Sequence, residues 1–186
     1  PRGTADAVRC GLTAIEEGEC GEVVILNGDV PALPDRLVLE MLEEQGANRR
    51  QVTFIGCQMD DPTGYGRVIV DEAGRICAIR EHKELVGSEF AIRMINVGVY
   101  VAEAGFLRKS LAGVKASPNQ KEFLLTDIVS QAYESGSVGM VVAGNPAEVG
   151  GINNRAEMSD VLAVVRRRRN RELMVSGVTM VQPDSV

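Results

Sequence analysis

Histidine is almost absent from this sequence of 186 residues, with His82 as the only one. Cysteine is also sparse, and no Cys-x-x-Cys pair occurs among Cys10, Cys20, Cys57 and Cys77. These absences exclude the ligand spacing of a zinc site and argue against a catalytic triad centred on histidine. The scattered cysteines instead indicate reduced thiols in the core of a cytoplasmic protein.

Long apolar runs are missing as well. No stretch approaches the ~18 residues that a membrane-spanning helix requires, so no membrane partner is predicted. The first six residues contain no apolar stretch, which indicates that there is no signal peptide. The sequence also lacks an initiating methionine, and we interpret this as a sign that it begins inside a longer chain. We therefore expect a segment of a cytoplasmic protein.

Basic residues are fewer than acidic ones. The sequence has 20 Lys and Arg residues and 26 Asp and Glu residues, which gives a net charge of -6. Binding to a nucleic-acid backbone needs a basic face, so no nucleic-acid partner is predicted. The arginine run at 166–169 points around a whole helix, and we interpret it as a solvated surface, with a nucleic-acid contact as the weaker alternative. A small anionic substrate needs only a local site and stays possible.

Helical and extended patterns alternate along the first sixty residues. Residues 4–17 and 37–44 have helical periodicity, and Gly46 is predicted to stop the second helix. The apolar run at 23–26 predicts a strand buried on both faces, and residues 51–59 predict another. This alternation favours an α/β fold with a mainly parallel sheet.

The rest of the chain continues with both kinds of element. The pattern predicts a hairpin at 67–79, a strand at 94–101 interrupted by Gly98, helices at 107–111 and 124–133, and a strand at 138–142. Thr126 or Asp127 is expected to cap the helix at 124–133 with a side-chain oxygen. Residues 155–175 contain no Gly or Pro and predict one helix of about 30 Å. Residues 178–181 are predicted to form a strand.

Asp29 lies where the first predicted strand ends, followed closely by Pro31. A carboxylate at that position belongs to the sheet edge where open α/β folds bind ligands, and it can hold a hard cation such as Mg²⁺. Gly28 beside it allows close approach of a backbone or ligand. Taken alone, however, the motif fits slightly better a turn aspartate that hydrogen-bonds its own backbone.

The loop at 60–67 places two glycines around Tyr65 and ends on Arg67. Its backbone N–H groups can face a ligand, with Arg67 adding a cation, and the alternative is a plain surface turn. Glu81 follows the predicted hairpin and could accept hydrogen bonds from sugar hydroxyls, or it could be a solvated strand end.

Uncharged amides are the remaining candidates. Asn96 lies inside an apolar strand and needs a hydrogen-bonding partner, for which the backbone is a simpler choice than a ligand. Asn153 and Asn154 precede the predicted long helix, so one of them is expected to be its N-cap. The other is then free to reach a ligand or a metal.

Taken together and in this order, these motifs resemble the bacterial family of bifunctional N-acetylglucosamine-1-phosphate uridylyltransferase/glucosamine-1-phosphate acetyltransferase enzymes. The resemblance covers almost the whole chain, and its most specific part is the Asp-Pro-Thr-Gly-Tyr-Gly-Arg segment at 61–67 with the Glu-His-Lys at 81–83. Further matching segments lie at 3–4, 28–31, 95–98, 122–127 and 151–155.

The resemblance implies an α/β, Rossmann-like nucleotidyltransferase domain with a mixed, mainly parallel sheet at residues 1–154. It implies a linker helix at 155–176 and, at 177–186, the start of a left-handed β-helix of hexapeptide repeats through which the parent protein forms a homotrimer. The family's glycine-rich phosphate loop should lie upstream of Gly3 and is not in this sequence. We therefore expect the domain to be N-terminally incomplete and the isolated chain to be inactive.

The resemblance also implies a reaction. UTP and N-acetylglucosamine-1-phosphate would give UDP-N-acetylglucosamine and pyrophosphate, a step towards the precursor of cell-wall peptidoglycan, with Mg²⁺ as cofactor. The parent is expected to acetylate glucosamine-1-phosphate as well. Carried over residue by residue, Asp29 and Asn153 match the Mg²⁺ ligands and are the predicted catalytic residues. The predicted substrate-binding residues are Gly3, Thr4, Asn27, Gly28, Asp29, Gly66, Glu81, Asn96 and Asn153, of which Gly3 and Thr4 match the loop at the uracil.

One departure leaves the base open. The family usually reads Leu-Gly-Thr-x-His-Ala where this sequence has Arg-Gly-Thr-Ala-Asp-Ala at 2–7, a form that also occurs in pyrophosphorylases using other bases. A pyrophosphorylase with another base is therefore one alternative. A non-catalytic module that binds a sugar nucleotide or supports assembly is another, and a stem that trimerises an acetyltransferase is a third.

Overall fold

Six strands form one mixed sheet in the computed structural model, which describes residues 2–114, 116 and 122–185. The strands are β1 (Glu22–Ile25), β2 (Val52–Gln58), β3 (Arg67–Val70), β4 (Ile76–Arg80), β5 (Met94–Glu103) and β6 (Val138–Ala143). The α-helices of the same residues are α1 (Thr4–Leu12), α2 (Asp35–Ala47), α3 (Ala104–Gly113), α4 (Asp127–Glu134) and α5 (Arg155–Val175). Short 3₁₀ turns lie at His82–Glu84, Gly87–Ala91, Pro146–Glu148 and Pro183–Ser185.

The sheet has the order β4-β3-β5-β2-β6, and β1 pairs with β5. β5 runs antiparallel to β1, β2 and β3, and β3 runs antiparallel to β4, whereas β2 and β6 are parallel. The predicted mixed α/β fold is confirmed, but the prediction of a mainly parallel sheet is wrong. The β1–α2–β2 crossover does produce two strands of the same direction, yet β5 lies between them and pairs with both.

Gly98 does not interrupt β5 but forms a bulge within it. The pairing of β2 with β5 shifts register between Phe54 and Gly56, and Gly98 has a φ of 88°. A Cβ at that position would lie 2.2 Å from Nδ2 of Asn27, so only glycine fits there.

β1 is not buried on both faces as predicted. Its residues alternate between exposed and half-buried, and Val24 is 39% exposed. Within the described residues β1 pairs with β5 alone, so it lies at an edge of the sheet. β2 and β5 are the strands that are buried on both faces, because helices cover the sheet on either side.

The core accordingly has two parts, one on each face of the sheet. Alternate residues of the central strands face opposite ways, so Phe54 and Tyr100 contribute to one part while Ile55 and Val99 contribute to the other. α1, α3 and α4 cover the first part, and α2 covers the second. Among the four free cysteines, Cys57 lies in this core and its burial raises the pKa of its thiol, whereas Cys10 is exposed, contrary to expectation.

Helix ends differ from the sequence pattern in instructive ways. α1 ends at Leu12 and not at residue 17, and α2 continues through Gly46 to Ala47. Thr126 occupies the N-cap position of α4, but its side chain accepts no capping hydrogen bond and Asp127 is already helical, so the predicted side-chain cap is wrong. The predicted helix at 155–175 is confirmed as α5.

The chain after α5 turns back on the helix. Residues 178–181 form no strand, because no other described segment pairs with them. Instead, Nε of Arg167 lies 3.0 Å from a carboxylate oxygen of Asp184, and the amide of Asn170 donates to the carbonyl of Pro183. Arg168 donates to the carbonyl of Ala32 at 2.9 Å and ties α5 to the body of the molecule. None of the described helices combines the length and the apolar character needed to cross a membrane.

Candidate functional site

A cavity of about 420 Å³ opens where β1, β5 and the β3–β4 hairpin bring their loops together. Seven of the nine predicted substrate-binding residues line it: Thr4, Asn27, Asp29, Gly66, Glu81, Asn96 and Asn153. These residues are spread over most of the chain, so the fold and not the local sequence assembles them. Gly3 and Gly28 lie next to lining residues without lining the cavity themselves.

Asp29 is exposed in the turn that follows β1. Its carbonyl accepts a hydrogen bond from the N–H of Ile152 at 2.9 Å, which joins this turn to the loop that carries Asn153. Within the described part of the chain its carboxylate receives no hydrogen bond from its own backbone, so the turn-aspartate alternative is not observed. The carboxylate remains available at the cavity.

The glycine loop at 61–66 contacts the same Asn153 loop through a side chain that the sequence analysis did not select. The hydroxyl of Tyr65 accepts a hydrogen bond from the N–H of Gly151 at 3.3 Å, and Tyr65 lines the cavity. The carbonyl of Gly66 accepts from the N–H of Asn96 at 2.9 Å. Tyr65 stands at the centre of the predicted motif, and a phenol flanked by two glycines was the available signal.

Arg67 does not supply a cation to the cavity as predicted. Its side chain is 2% exposed and its guanidinium donates to the carbonyl of Tyr65, while its Nε is buried without a partner among the described residues. Burial lowers the pKa of this guanidinium. Arg67 therefore stabilises the backbone of the glycine loop at Tyr65.

Glu81 is the partly buried carboxylate of the site. The hydroxyl of Thr126 donates to it at 3.4 Å, and burial raises the pKa of the carboxyl. A Cβ on Gly66 would lie 3.5 Å from Oε2 of Glu81 and 3.1 Å from Ile79, so a glycine there keeps the carboxylate accessible. The hydroxyl of Thr126, which was expected to cap α4, thus donates a hydrogen bond to Glu81.

Asn96 has partners of both kinds. Its Oδ1 accepts from the N–H of Gly98 at 3.1 Å, and its Nδ2 donates to the hydroxyl of Tyr100 at 2.7 Å. The backbone partner matches the simpler expectation, and the tyrosine is an addition. Burial raises the pKa of Tyr100, so this hydroxyl stays protonated and polar within the core.

One of the two asparagines before α5 caps this helix, as expected. Oδ1 of Asn154 accepts from the N–H groups of Ala156 and Glu157 at 2.9 and 3.0 Å, so Asn154 is the N-cap of α5. Asn153 is exposed and lines the cavity. Hydrogen bonds from the backbone and the amide of Asn153 lower the pKa of the Glu157 carboxyl.

Gly3 and Thr4 are positioned by contacts with residues 123–125. Gly3 has a φ of 106°, and a Cβ there would lie 2.5 Å from the carbonyl oxygen of Phe123. The N–H of Ala5 donates to that carbonyl at 3.0 Å, and the hydroxyl of Thr4 accepts from the N–H of Leu125 at 3.0 Å. This pairing with residues 123–125 holds the start of α1 against the cavity.

The donor set at the cavity fits a magnesium ion. Among the described residues, no three or more His, Cys, Asp or Glu side chains are grouped so as to hold a metal. Asp29 and Asn153, however, line one cavity and offer a carboxylate and an amide oxygen. Mg²⁺ prefers such hard oxygens, keeps several waters and is usually bound through one or two carboxylates together with substrate phosphates.

Comparison with known proteins bears on the family to which the chain belongs. A family model described as nucleotidyl transferase matches residues 1–154. The bifunctional protein GlmU of Pelobacter propionicus is 39% identical over 183 residues, which are 98% of this chain and 40% of the relative. GlmU of Sorangium cellulosum is 39% identical over 197 residues, covering 100% of this chain and 41% of the relative. GlmU of Desulfotalea psychrophila is 38% identical over 185 residues, covering 99% and 54%.

The chain therefore spans about 40% to 54% of the length of these relatives. The resemblance inferred from the motifs is confirmed by these similarities and by the family match. The chain belongs to the nucleotidyl transferase family, within which it is similar over nearly its whole length to the GlmU proteins.

Proposed function

We propose that this chain forms part of the active site of a uridylyltransferase that converts UTP and N-acetylglucosamine-1-phosphate into UDP-N-acetylglucosamine and pyrophosphate. The proposal rests on one observation, which is that Asp29 and Asn153 line the same cavity as Glu81 and Asn96. Oxygen ligands for a cation and hydrogen-bonding groups for a sugar thus line one pocket. The similarity to proteins named GlmU supports the same conclusion.

The chemistry needs positioning and charge neutralisation more than a protein nucleophile. A phosphate oxygen of the sugar phosphate attacks the α-phosphorus of UTP, the bond from that phosphorus to the bridging oxygen breaks, and pyrophosphate leaves with the electron pair. No side chain has to form a covalent bond in this exchange. A chain with a single histidine outside the cavity is compatible with such a reaction.

Asp29 and Asn153 would hold the Mg²⁺ ion. When bound, this ion neutralises phosphate charge and orients the reacting groups. Asp29 contributes the negative charge of the pair, and the neutral amide of Asn153 contributes oxygen without further charge. The hydrogen bond from the N–H of Ile152 to the carbonyl of Asp29 joins the two loops that carry these ligands.

Glu81 and Asn96 are suited to the sugar. Among the described residues, the Glu81 carboxylate receives one long hydrogen bond, from Thr126, and it keeps acceptor capacity for hydroxyl groups. Thr4 and Asn27 line the cavity beside a smaller recess of about 80 Å³ that Glu81, Asn96 and Tyr100 also line. A polar recess behind a polar cavity provides the hydrogen bonds that a polyhydroxylated ligand requires.

The arrangement of the whole polypeptide belongs to the same proposal. Residues 1–154 would be part of the nucleotidyltransferase domain, residues 155–176 a linker, and residues 177–186 the approach to a β-helix that acetylates glucosamine-1-phosphate and forms a homotrimer. The printed description of the relatives as bifunctional supports this. A cytoplasmic location and a role in peptidoglycan precursor synthesis follow from the proposed product.

A pyrophosphate-release assay on the complete encoded polypeptide tests the function. With UTP, N-acetylglucosamine-1-phosphate and Mg²⁺ we expect release that disappears when EDTA is added. The isolated chain of 186 residues is expected to show no turnover above its Asp29→Ala variant. Absence of release from the complete polypeptide would contradict the proposal.

A pyrophosphorylase with another base is the second candidate. It is favoured by the Asp6 variant of the first motif, and the structure places the Asp6 carboxylate 3.5 Å from Arg9 on α1. The same assay with ATP, CTP, GTP and dTTP separates the candidates. A strong preference for one of these nucleotides over UTP would select the second.

A further inference from the structure

The side chain of Asn153 is held by a carboxylate on α5. Oε2 of Glu157 accepts from the backbone N–H of Asn153 at 2.6 Å and from its Nδ2 at 3.2 Å. The other oxygen of Glu157 accepts from Nδ2 of Asn154 at 2.7 Å. One carboxylate therefore binds the amide groups of two consecutive asparagines.

This contact decides which end of the Asn153 amide can meet a cation. Only the oxygen of an amide can ligate Mg²⁺, and a carboxylate can accept but not donate hydrogen bonds. The end of Asn153 that faces Glu157 must then be its NH₂ group. The oxygen is left as the end available to the cavity that Asn153 lines.

The role is separable from helix capping. Asn154 caps α5 through its Oδ1, which accepts from the N–H groups of Ala156 and Glu157. An ordinary capping box would return the N3 carboxylate to the backbone N–H of the N-cap residue, but here Glu157 reaches the residue before it. The carboxylate thus extends beyond the cap to the candidate ligand.

We propose that Glu157 is a positioning residue that orients the Oδ1 atom of Asn153 towards the metal. The proposal rests on the function proposed above, because it takes Asn153 to be a metal ligand. Partners that orient a metal ligand typically change metal affinity by about 10- to 100-fold when they are removed. For this partly exposed carboxylate we expect a value near the lower limit, about tenfold.

The test measures Mn²⁺ binding to the complete polypeptide in the presence of UDP-N-acetylglucosamine, using the electron paramagnetic resonance signal of free Mn²⁺. Glu157→Ala is expected to weaken binding about tenfold. Asn154→Ala is the matched control, because it removes the cap of α5 and one hydrogen bond to Glu157 but keeps both hydrogen-bonding groups of Asn153 that bind Glu157. It is expected to lower the thermal midpoint while changing Mn²⁺ affinity less than about twofold. Glu157→Gln, of the same shape, replaces the alanine variant if that variant does not fold.

The outcomes distinguish the role of Asn153 as a metal ligand from the role of Glu157 as its positioning residue. Weaker Mn²⁺ binding in Glu157→Ala and in Asn153→Ala, but not in Asn154→Ala, supports the positioning role. Equal effects of Glu157→Ala and Asn154→Ala would assign Glu157 to capping and overturn it, as would unchanged affinity in Glu157→Ala. Asn153→Ala is measured alongside: if it leaves Mn²⁺ affinity unchanged, the proposed ligand itself is wrong and the positioning role is overturned with it. If only Asn153→Ala weakens binding, the ligand stands and the positioning role is overturned.

Discussion

The β3–β4 hairpin has a carboxylate at each end, Asp71 at the turn and Glu81 at the open end, and their pKa values are shifted in opposite directions. At the turn, the Asp71 carboxylate accepts from the N–H groups of Arg75 and Ala73 at 2.8 and 3.0 Å and from the hydroxyl of Tyr133 at 2.9 Å. Arg75 also forms an ion pair with Asp71 and lies 5.2 Å from the centroid of the Tyr133 ring. Backbone hydrogen bonding from Arg75 is the main reason that the pKa of Asp71 falls to about 2.

At the open end, Glu81 has few partners for its charge. The Thr126 hydroxyl is 3.4 Å away, and burial raises the pKa of the carboxyl. The nearby Tyr100 hydroxyl accepts a hydrogen bond from the amide of Asn96, and among the described residues it makes no hydrogen bond to Glu81. The hairpin therefore combines a carboxylate that is saturated with donors and one that is short of them.

This difference teaches how to distinguish a structural cluster from a binding site. A carboxylate that already accepts four hydrogen bonds stabilises its turn and has little capacity left for a ligand. A partly buried carboxylate with one weak donor carries an unsatisfied desolvation penalty, which a hydroxylated ligand can relieve. Perturbed carboxylates of the second kind are the ones associated with function.

The largest expected effect concerns the proposed metal ligand. Asp29→Ala in the complete polypeptide should lower kcat for pyrophosphate release at least about 100-fold, because a charged ligand of the cation is lost. Asp71→Asn is the control at the turn, and it should retain activity while lowering the thermal midpoint. Comparable activities for the two variants would contradict the assignment of Asp29 as a ligand of the cation.

A smaller effect is expected at Glu81. Glu81→Gln should raise the KM for the sugar phosphate by about tenfold, since hydrogen bonds from hydroxyls to a charged acceptor become weaker bonds to a neutral one. Thermal stability should not fall, because a partly buried charge has been removed. Steady-state kinetics with the sugar phosphate varied provides the measurement, and an unchanged KM would remove Glu81 from the proposed sugar site.

The pH dependence of stability should run in opposite directions at the two ends. The pKa of Asp71 is lowered from 3.8 to about 2, so its stabilisation is present above 3.8 and is lost as the pH falls through about 2. The pKa of Glu81 is raised above 4.5, so its contribution is present below 4.5 and is lost as the pH rises through the folded-state value.

Thermal midpoints of both variants, measured against the unmodified protein across pH, check this. Asp71→Asn should be the less stable protein near neutral pH and approach the unmodified protein near about pH 2. Glu81→Gln should gain relative stability as the pH rises from about 4 to about 7. Parallel pH profiles for the two variants would show that the carboxylates do not differ in the way described.

The smallest effect is expected for the tyrosines. Tyr65→Phe removes the acceptor for the N–H of Gly151 and should lower kcat/KM about fivefold, with most of the change at low Mg²⁺ concentration. Tyr133→Phe removes a hydroxyl of the same kind at the turn and should leave kcat/KM unchanged. Equal kinetics for both variants would show that the Tyr65 contact does not support the Asn153 loop.

Much of the candidate site could be predicted because its residues occur in short motifs. Asp29, Glu81 and Asn96 each stand within a few residues of a strand end or glycine, and such local signals are visible in the sequence. Tyr65 is not among the predicted site residues, because a phenol in a glycine loop also fits a plain surface turn. Its contact with Gly151 joins positions 86 residues apart, which no local pattern indicates.

Apart from the ends of two helices, the wrong predictions concern features that depend on neighbours distant in sequence. Residues 178–181 have the composition of a strand, but a strand exists only where another pairs with it. Arg67 reads as a cation that faces a ligand, yet the sheet buries it and its guanidinium donates to the carbonyl of Tyr65. Thr126 reads as a cap, but its hydroxyl donates to Glu81 and accepts no capping hydrogen bond from α4.

Local interactions thus suffice for the helix at 155–175, an asparagine cap at its start and the positions of the chemical motifs, because periodicity and capping involve residues within a few positions of one another. Tertiary structure alone decides that β5 runs antiparallel between β1 and β2, and that this brings Asp29, Glu81, Asn96 and Asn153 to one cavity. Strand pairing and burial depend on long-range packing, so the electrostatic state of each carboxylate is set only when the sheet has formed.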